Sequence, residues 1–536
     1  MGFAYAMDEH GSESGRTAFA FIALLTLLTL AALYAPRFEH RSVVASVAPA
    51  SRPMGPTVEL WLSTADRRLK LMPQPDIAMS ARGSAPADVV IEVDKKYQTM
   101  VGFGAAMTDS SAWLLQNKLS DAQRSDLLHE LYGPPPNLNL NMMRLTIGAS
   151  DFSLKPYTLD DVPFGQTDPE LQHFNVTPNL LDVIPVVREA LSVNAGLRII
   201  ASSWSAPAWM KSSQNLIGGD LLEQYESTYA DYLIKYLDAY RGYGIPIFAL
   251  TLQNEPGFVP VTYPGMEMPA DTRARIVSQY LGPKLASRTP KTAILEWDHN
   301  WSHPEQPLSV LGDADAARYI DGVAWHCYEG SQSAQGRVHR AYPQKSVYIT
   351  ECSGGDWASS INGELIWFAR NLLVTGIRQW ASGVVYWNLA LDENHGPHFG
   401  GCAACKGVIM VDSKTGEVSR NDEYYALAHF SKFVLPGAVR VASTDTDADQ
   451  GIANVAFQNV SDGSIVLVMV NSKTDARPVS VVEGQVRFDY TMPPRSVATF
   501  EWNHDKTGAW VRRAVSWLDR AASDVIKRRP ATPPQH

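Results

Sequence analysis

Short apolar runs alternate with longer amphipathic stretches from about residue 98 to residue 433. Apolar runs of about four to eight residues between turn residues predict buried strands, and a 3.6-residue period, as in YADYLIKYLDAY from Tyr229, predicts a helix. Eight strands are predicted in this way, at Val101–Ala106, Asn141–Ile147, Arg198–Trp204, Ile247–Gln253, Ala293–Trp297, Gly322–Tyr328, Ser346–Thr350 and Gly383–Leu389. Eight strand–helix units in succession predict an α/β fold, a (β/α)8 TIM barrel over residues 98–433.

A second pattern, typical of strands alone, covers residues 434–502. It includes VLVMV from Val466, VVEGQVRFDY from Val481 and SVATFEW from Ser496. Residues 58–97 also contain short strand-like runs, but this segment is too short to form a core of its own. We therefore predict an all-β sandwich side domain that is formed by segments before and after the barrel, residues 58–97 and 434–502.

The two ends of the chain have a different character. After an N-terminal tail (residues 1–16), residues 17–35 form an uncharged apolar run, close to the roughly 20 residues that span a bilayer and longer than the apolar part of most signal peptides. We interpret this run as an export signal that is cleaved or stays as an anchor, with a buried core helix as the alternative. Residues 36–57 resemble a linker. These features predict an extracytoplasmic protein that is secreted, periplasmic or membrane-anchored.

The C-terminal extension, residues 503–536, contains a basic amphipathic helix over about residues 510–528. Such a helix lies on a membrane surface or docks on its own domain, and the sequence leaves both interpretations open. Membrane association through residues 17–35 and 510–528 is therefore a hypothesis.

Charge and cysteine content exclude several classes of protein. The net charge of −10 argues against a nucleic-acid partner, which calls for a basic surface. The four cysteines, Cys327, Cys352, Cys402 and Cys405, are too few for a disulfide-built scaffold. The Cys402–Cys405 spacing permits a redox pair or a metal site, but a local disulfide or free loop thiols fit a Gly-rich loop better. No metalloprotease, phosphate-loop, serine-hydrolase or dinucleotide motif stands in its proper context, so we predict no cofactor and no metal.

Two glutamates end predicted barrel strands and are followed by turn residues. Glu255 lies in FALTLQNEPG after the fourth strand, and Glu351 lies in VYITECSGG after the seventh. Glycoside hydrolysis needs two carboxyl groups on either side of the scissile bond, and barrel enzymes place them at the C-terminal ends of strands. Glu296 and Asp298, in ILEWDHN, form a competing acidic pair, of which we interpret Glu296 as a structural or substrate-binding acid.

Further polar and aromatic residues stand at or near predicted strand ends. Tryptophan rings can stack on a sugar ring, while acids, amides and histidines can hydrogen-bond its hydroxyl groups. The candidates are Arg144, Asp151, Trp204, Asn254, His326, Tyr328 and Trp387. A catalytically silent carbohydrate-binding protein is the alternative from another functional class, and the presence of both glutamates argues against it.

The ordered motifs resemble glycoside hydrolase family 30, over roughly residues 58–502. They are QTMVGFGAAMTDSSAW, MMRLTIGASDFSLKPYTLDD, IIASSWSAPAWMK, FALTLQNEP, VAWHCY, YITECSGG and VVYWNLALDENHGP. The nearest likeness is to the glucosylceramidase branch, with similarity also to microbial β-1,6-glucanases. The resemblance implies retention of the β configuration, with Glu255 as general acid/base and Glu351 as nucleophile.

It further implies that the glycone is held by Asp151, Trp204, Asn254 and Trp387. Arg144, His326 and Tyr328 would surround or orient the nucleophile. The implied substrate is a β-glucoside, with glucosylceramide as the first candidate and a β-1,6-glucan, cut internally, as the alternative. The Gly401–Gly407 loop departs from the family pattern, and we expect it to shape the acceptor side of the site.

Overall fold

The computed structural model describes residues 55–358, 364–447 and 451–504, together with residues 507 and 510. The predicted apolar segment 17–35 lies outside these residues, and so does the predicted helix 510–528 apart from Trp510. Within the described ranges, no helix is both long enough and apolar enough to cross a membrane.

Eight parallel strands close into a barrel in which each strand pairs with its neighbours in chain order, and the eighth pairs with the first. The strands are Gly102–Ala106, Met142–Ile147, Arg198–Ser203, Ile247–Thr251, Ala293–Asn300, Ile320–His326, Ser346–Glu351 and Ala381–Tyr386. The predicted (β/α)8 barrel is therefore confirmed. The fourth strand ends two residues earlier than predicted, and the fifth continues three residues further, to Asn300.

The inside of the barrel is filled by one apolar layer, to which seven of the eight strands each contribute a side chain. These side chains are Met142, Ile200, Ala249, Leu295, Ala324, Tyr348 and Val385. The first strand contributes Gly104, where an added Cβ would lie 1.8 Å from the carbonyl oxygen of Met142. The layer closes the barrel from within, so a pocket can open only beyond the strand ends.

Helices cover the outside of the barrel, and local sequence explains several of them. Ser120 and Gln123 form a capping box at the start of Asp121–Tyr132. In Glu226–Gly242 four tyrosines at three- and four-residue spacing lie on one fully buried face. The α-helices and π-helical turns of the described residues are Asp109–Asn117, Asp121–Tyr132, Val183–Val193, Glu226–Gly242, Ala270–Arg275, Ile276–Leu281, Gly282–Ala286, Glu305–Gly312, Ala314–Ala317, Ser333–Ala341, Glu364–Trp367, Phe368–Thr375, Gly376–Arg378 and Asp422–Ser431.

Ten further strands form one continuous sheet made from both flanking segments of the chain. In order across the sheet they are Met72–Ala78, Thr57–Thr64, Ser496–Asn503, Ser464–Asn471, Ile452–Gln458, Val439–Ser443, Val89–Thr99, Arg477–Glu483, Val486–Met492 and Ser80–Ala81. Apolar side chains from both halves of the sheet, such as Leu60 and Phe488, pack into one core. The predicted side domain, built from segments before and after the barrel, is confirmed.

The loops beyond the barrel strands contain short elements of their own. The 3-10 turns are Thr177–Asn179, Ala208–Met210 and Glu223–Tyr225. The short strands are Ile217–Asp220, Gly265–Glu267, Gly354–Gly355, Ala390–Leu391, Cys405–Lys406, Ile409–Val411 and Val418–Arg420. These pieces order the loops at the barrel mouth.

Candidate active site

All nine predicted site residues meet at the C-terminal end of the barrel. Arg144 lies in the second strand, Asp151 follows it, Trp204 follows the third, Asn254 and Glu255 follow the fourth, His326 ends the sixth with Tyr328 beyond it, Glu351 ends the seventh and Trp387 follows the eighth. Parallel strands bring their ends to one face of a barrel, which is why residues far apart in sequence converge here.

Glu351 is buried and held by two donors. Arg144 donates from Nη1 to its Oε2 over 2.6 Å, and the Tyr328 hydroxyl donates to its Oε1 over 2.9 Å. Burial raises the pKa of Glu351 above its usual value, while the positive charges of His326 and Arg144 act in the opposite direction. The two hydrogen bonds fix both carboxylate oxygens, so the orientation of the group is set before any substrate arrives.

Glu255 lies four residues beyond the fourth strand, in a left-handed backbone conformation with φ of 48°. Such a conformation is costly for a non-glycine residue and persists where neighbours enforce it. Its amide donates to the carbonyl of Asp298, and His326 Nδ1 lies 3.0 Å from its Oε1. One oxygen of Glu255 and one of Glu351 lie within 4.8 Å of each other, with a ring nitrogen of His326 inside the same limit.

Those three residues are also the one group of the described residues whose ligand atoms are close enough for a metal ion. The state of His326 bears on that possibility. Burial by itself lowers the pKa of His326, but the carboxylates of Glu351, Asp298 and Glu255 outweigh it and raise the pKa to about 9. Near neutral pH both ring nitrogens therefore carry protons and donate, Nδ1 to Glu255 and Nε2 to Asp298, and a metal ion would have to displace one of these protons.

Asp298 is the centre of the polar network beneath the two glutamates. It is fully buried and is contacted by residues from five other barrel strands. The donors are Arg144 at 2.8 Å, Ser202 at 2.7 Å, Thr251 at 2.8 Å, Thr350 at 2.6 Å and His326 at 3.1 Å. Burial alone would raise the pKa of Asp298, but the charge of Arg144 and the hydrogen bond from His326 hold it well below its usual range. A permanent negative charge is therefore stabilised inside the barrel.

The sequence did not single out this role, because Asp298 and Glu296 are two residues apart and a regular strand would point both the same way. The pairing of the fifth strand is irregular between Trp297 and His299, and Trp297 and Asp298 have φ of 78° and 59°. This bulge sends Asp298 into the barrel, while Glu296 accepts from Arg273 on an outer helix at 2.9 Å. Glu296 is thus a structural acid, one of the two roles predicted for it.

Trp204 and Trp387 stack on each other, with ring centroids 5.1 Å apart and an interplanar angle of 18°. The guanidinium of Arg144 lies 4.8 Å from the Trp204 ring and 5.5 Å from the Trp387 ring. Trp387 lines the pocket and Trp204 stacks against it, and the two side chains are 3% and 2% exposed. That both rings hold the glycone stays a prediction.

Asp151 and Asn254 complete the predicted set. Asp151 lines the pocket, and burial first, then the charges of Glu351 and Glu255, raise its pKa well above the usual value. Asn254 accepts from Arg144 Nη2 at 2.8 Å through its side-chain oxygen. That bond leaves the amide NH2 of Asn254 available to donate to a ligand.

The pocket has a volume of about 780 Å³ and extends well beyond the glutamates. Its outer part is formed by residues that the sequence did not single out. They are Phe258, Val261, Tyr263, Glu267, Trp297, His299, Asn300, His303, Gln306, Glu329 and Trp357. Applying the strand-end rule to the full length of the fifth strand would have identified His299 and Asn300, but nothing in the sequence marked the loop residues.

All four cysteines form disulfides, Cys327 with Cys352 and Cys402 with Cys405. The first bridge joins the ends of the sixth and seventh strands, directly after His326 and Glu351. The second closes a short turn whose two cysteines line the pocket. A local bridge was one of the two interpretations favoured for Cys402 and Cys405, whereas the pairing of Cys327 with Cys352 was not predicted.

A closed barrel with two oriented carboxyl groups at its mouth, one buried and one partly buried, and an aromatic wall defines the class of barrel glycoside hydrolases. Residues 100–434 match the glycosyl hydrolase family 30 TIM-barrel domain and residues 437–500 match the glycosyl hydrolase family 30 beta sandwich domain. The chain belongs to glycosyl hydrolase family 30, and it is a hydrolase that acts on O-glycosyl bonds.

The similar proteins include glucanases and glucosylceramidases. An endo-1,6-beta-D-glucanase of Neurospora crassa is 38% identical over 387 residues, covering 70% of this chain and 79% of its own. The lysosomal acid glucosylceramidase of Mus musculus is 28% identical over 437 residues, covering 77% and 83%. The solved structure of an endo-beta1,6-glucanase superimposes with a TM-score of 0.76 at 30% identity, over 83% of this chain and 99% of that one.

Proposed function

We propose that this enzyme hydrolyses β-glucosides with retention of configuration, with Glu351 as nucleophile and Glu255 as general acid and base. The observation that carries the proposal is the approach of the two carboxyl groups, whose oxygens lie within 4.8 Å of each other. Retaining glycosidases hold their carboxyl groups about 5–5.5 Å apart, while inverting enzymes need about 6.5–9.5 Å to accommodate a water molecule.

The contacts of Glu351 suit a nucleophile. Arg144 and Tyr328 both donate to it, which favours its ionised form and orients its oxygens. In the first step Glu351 attacks the anomeric carbon, the bond to the leaving oxygen breaks, and Glu255 donates its proton to that oxygen. In the second step Glu255 takes a proton from water, which attacks the same carbon and releases Glu351.

The glucosyl unit would occupy the space between the glutamates, Asp151 and Trp387. The face of Trp387 offers an apolar platform, and Asp151 offers a carboxyl group for ring hydroxyls. The free amide NH2 of Asn254 can donate to the 2-hydroxyl, where hydrogen bonds strengthen in the transition state.

For the natural substrate we propose a β-1,6-linked glucan first and glucosylceramide second. The outer pocket presents several polar groups, among them Glu267, Gln306 and Glu329, which suit the hydroxyl groups of a further sugar. The identity of 38% to an endo-1,6-beta-D-glucanase supports the same choice. Exposed apolar side chains at the rim, Val261 at 86% and Trp357 at 61%, are the observation that favours a lipid acceptor.

We also infer that the enzyme works outside the cytoplasm. Two disulfides in the described residues suit an oxidising compartment, and the apolar run at residues 17–35 suits export. A cytosolic pool of the full chain carrying both intact disulfides, detected by alkylation and mass spectrometry of fractionated cells, would contradict this inference.

The test of the catalytic roles uses an aryl β-glucoside and three variants. Glu351→Ala should abolish turnover, and added azide should restore it with an α-glucosyl azide as product. Glu255→Ala should keep activity on a good leaving group, and azide should then give the β-glucosyl azide. Glu296→Gln removes a carboxylate that is equally buried but outside the pocket, and it should keep normal turnover. Full activity in Glu351→Ala would refute the assignment.

The substrate is decided by comparing initial rates on β-1,6-glucan and on glucosylceramide in detergent micelles at equal concentrations of glucosyl units. A higher rate on the glucan, with oligosaccharides as early products, supports the first choice. A higher rate on glucosylceramide overturns it in favour of the second.

A further inference from the structure

The turn formed by residues 399–406, here called the wall turn, touches the loops that bear Asp151 and Glu351 and the loop that follows Glu255. Cys402 and Cys405 lie in this turn, are joined to each other, and line the pocket. Neither cysteine has a role in the proposed chemistry, so the bridge calls for another explanation.

The contact with the Asp151 loop is the closest of the three. The amide of Phe399 donates to the carbonyl of Asp151 at 2.6 Å. Gly401 has φ of 67°, and a Cβ at this position would lie 2.5 Å from the Cβ of Asp151. Glycine is therefore required at this position both by the backbone conformation and by the space beside Asp151.

The other two contacts reach the loops that follow the catalytic strands. The amide of Gly401 donates to the hydroxyl of Thr262 at 3.3 Å, in the loop beyond Glu255. Gly355 and Asp356 lie in the loop beyond Glu351. Cys405 is the antiparallel strand partner of Gly355, and the amide of Asp356 donates to the carbonyl of Ala404 at 3.0 Å. A bridge across a short, glycine-flanked turn limits the conformations available to it and so fixes these contacts together.

We propose that the Cys402–Cys405 disulfide, here called the clamp, holds the wall turn against Asp151 and can be reduced. The oxidation state of this disulfide then sets the affinity of the pocket for the glucosyl unit. Among the described residues, no hydrogen bond or ion pair joins the wall turn to Arg144 or Tyr328, which orient Glu351. The clamp therefore acts on substrate binding more than on the chemical step. This inference rests on the proposed function, because it assigns Asp151 to the glucosyl site.

Opening the clamp is a two-electron reduction by a dithiol such as dithiothreitol. The S–S bond breaks, two electrons and two protons pass to the cysteines to give two thiols, and the reductant becomes a cyclic disulfide. Oxidised glutathione reverses the step by thiol–disulfide exchange. Cys402 is only partly buried and faces the pocket, so a small thiol can reach it.

The test measures kcat and KM on an aryl β-glucoside before reduction, after reduction and after re-oxidation, with the reduced pair mapped by alkylation and mass spectrometry. Reduction of Cys402–Cys405 should raise KM about fivefold, equivalent to about 1 kcal/mol or one weakened hydrogen bond, and leave kcat within about twofold. Re-oxidation should restore KM. The double variant C402S/C405S should show the raised KM without reductant and no further response, although it retains Cys327–Cys352.

A second variant probes the wall turn without touching the cysteines. Gly401→Ala pushes against Asp151 and should raise KM in the same selective way. Gly83→Ala is the matched control, because Gly83 has a similar φ of 63° and nothing within 4 Å of an added Cβ. An unchanged KM after mapped reduction of Cys402–Cys405, or a fall in kcat alone, would overturn the clamp.

A binding measurement separates this inference from the proposed function. The affinity of the glucose-configured iminosugar 1-deoxynojirimycin is measured by calorimetry on the oxidised and the reduced protein. If no β-glucoside is hydrolysed, the proposed function fails, while a fivefold weaker Kd after reduction still supports the clamp. If hydrolysis proceeds normally and Kd does not change on reduction, the clamp fails alone.

Discussion

Asp298→Asn tests whether one buried charge holds the active site together. The wild-type carboxylate accepts from five donors, at distances between 2.6 Å and 3.1 Å. An asparagine can keep the donors around one oxygen, but its NH2 group then faces groups that donate, among them His326. Removing one partner from a buried ion pair costs about 3–5 kcal/mol, a large share of the roughly 5–15 kcal/mol that stabilises a typical domain. We expect a loss of free energy of unfolding of that size at pH 7.

The loss should depend on pH in a direction that the structure fixes. The folded pKa of Asp298 is well below its ordinary value of 3.8, so the charged form contributes stability above that value and loses it as pH falls through the folded pKa. The difference between Asp298→Asn and wild type should therefore be largest near neutral pH and shrink in acid. Urea-induced unfolding followed by tryptophan fluorescence at several pH values measures it.

The same substitution should impair catalysis through the residues that Asp298 orients. Arg144 binds both Asp298 and Glu351, and a charge-assisted hydrogen bond contributes about 1.5–3 kcal/mol, so kcat/KM on an aryl β-glucoside should fall about 10- to 100-fold. Glu296→Gln is the matched control, since it breaks an equally buried pair with Arg273 outside the pocket. It should lower stability but keep kcat/KM. A stability loss in Asp298→Asn below about 1 kcal/mol, one ordinary hydrogen bond, would refute this reasoning.

Three further predictions follow from the charges around the pocket. Asp151→Asn should raise the free energy of unfolding at pH 7 and raise KM. The folded pKa of Asp151 is raised, so ionising this residue destabilises the folded protein as pH rises above the ordinary pKa of an aspartate. Thermal unfolding at pH 4 and pH 7 checks the effect on stability, and no gain at pH 7 would contradict it. Tyr328→Phe removes a 2.9 Å hydrogen bond to Glu351 and should lower kcat/KM by about tenfold or more, with an unchanged value arguing against that bond in catalysis. His326 has a pKa of about 9 against an ordinary 6.5, so the stability that its positive charge contributes is complete below pH 6.5 and is lost as pH rises through 9. His326→Gln should therefore flatten the pH dependence of the urea midpoint between these values. Parallel curves for the variant and the wild type would show that His326 carries no such charge.

Much of the framework could be predicted from the sequence because it depends on local patterns. Buried parallel strands are continuous apolar runs, and strand ends in a barrel share one face, so Glu255 and Glu351 could be placed at the mouth by counting strands. The tyrosine-rich helix Glu226–Gly242 follows from its spacing alone. These features need no knowledge of which side chains finally touch.

The rest depends on contacts between distant segments. The position of Asp298 inside the barrel results from a bulge, and no sequence signal separated it from Glu296. The stacking of Trp204 on Trp387 follows from how two loops pack, and the residues of the outer pocket, such as Phe258 and Trp357, come from loops without any periodicity. Patterns in sequence report burial well, but they do not report which buried side chains meet.

The bulge in the fifth strand also determines which changes that strand can accept. Glu296 accepts a hydrogen bond from Arg273 on an outer helix, while Asp298 accepts one from Arg144 inside the barrel. The bulge between them turns the two side chains to opposite sides of the strand. If this part of the strand became regular at its present length, Asp298 would face the same side as Glu296, because residues two apart in a regular strand share a face. Arg144 and His326 would then lose the acceptor that they share inside the barrel. The irregular pairing after Trp297 is therefore the feature of this strand that the active site requires.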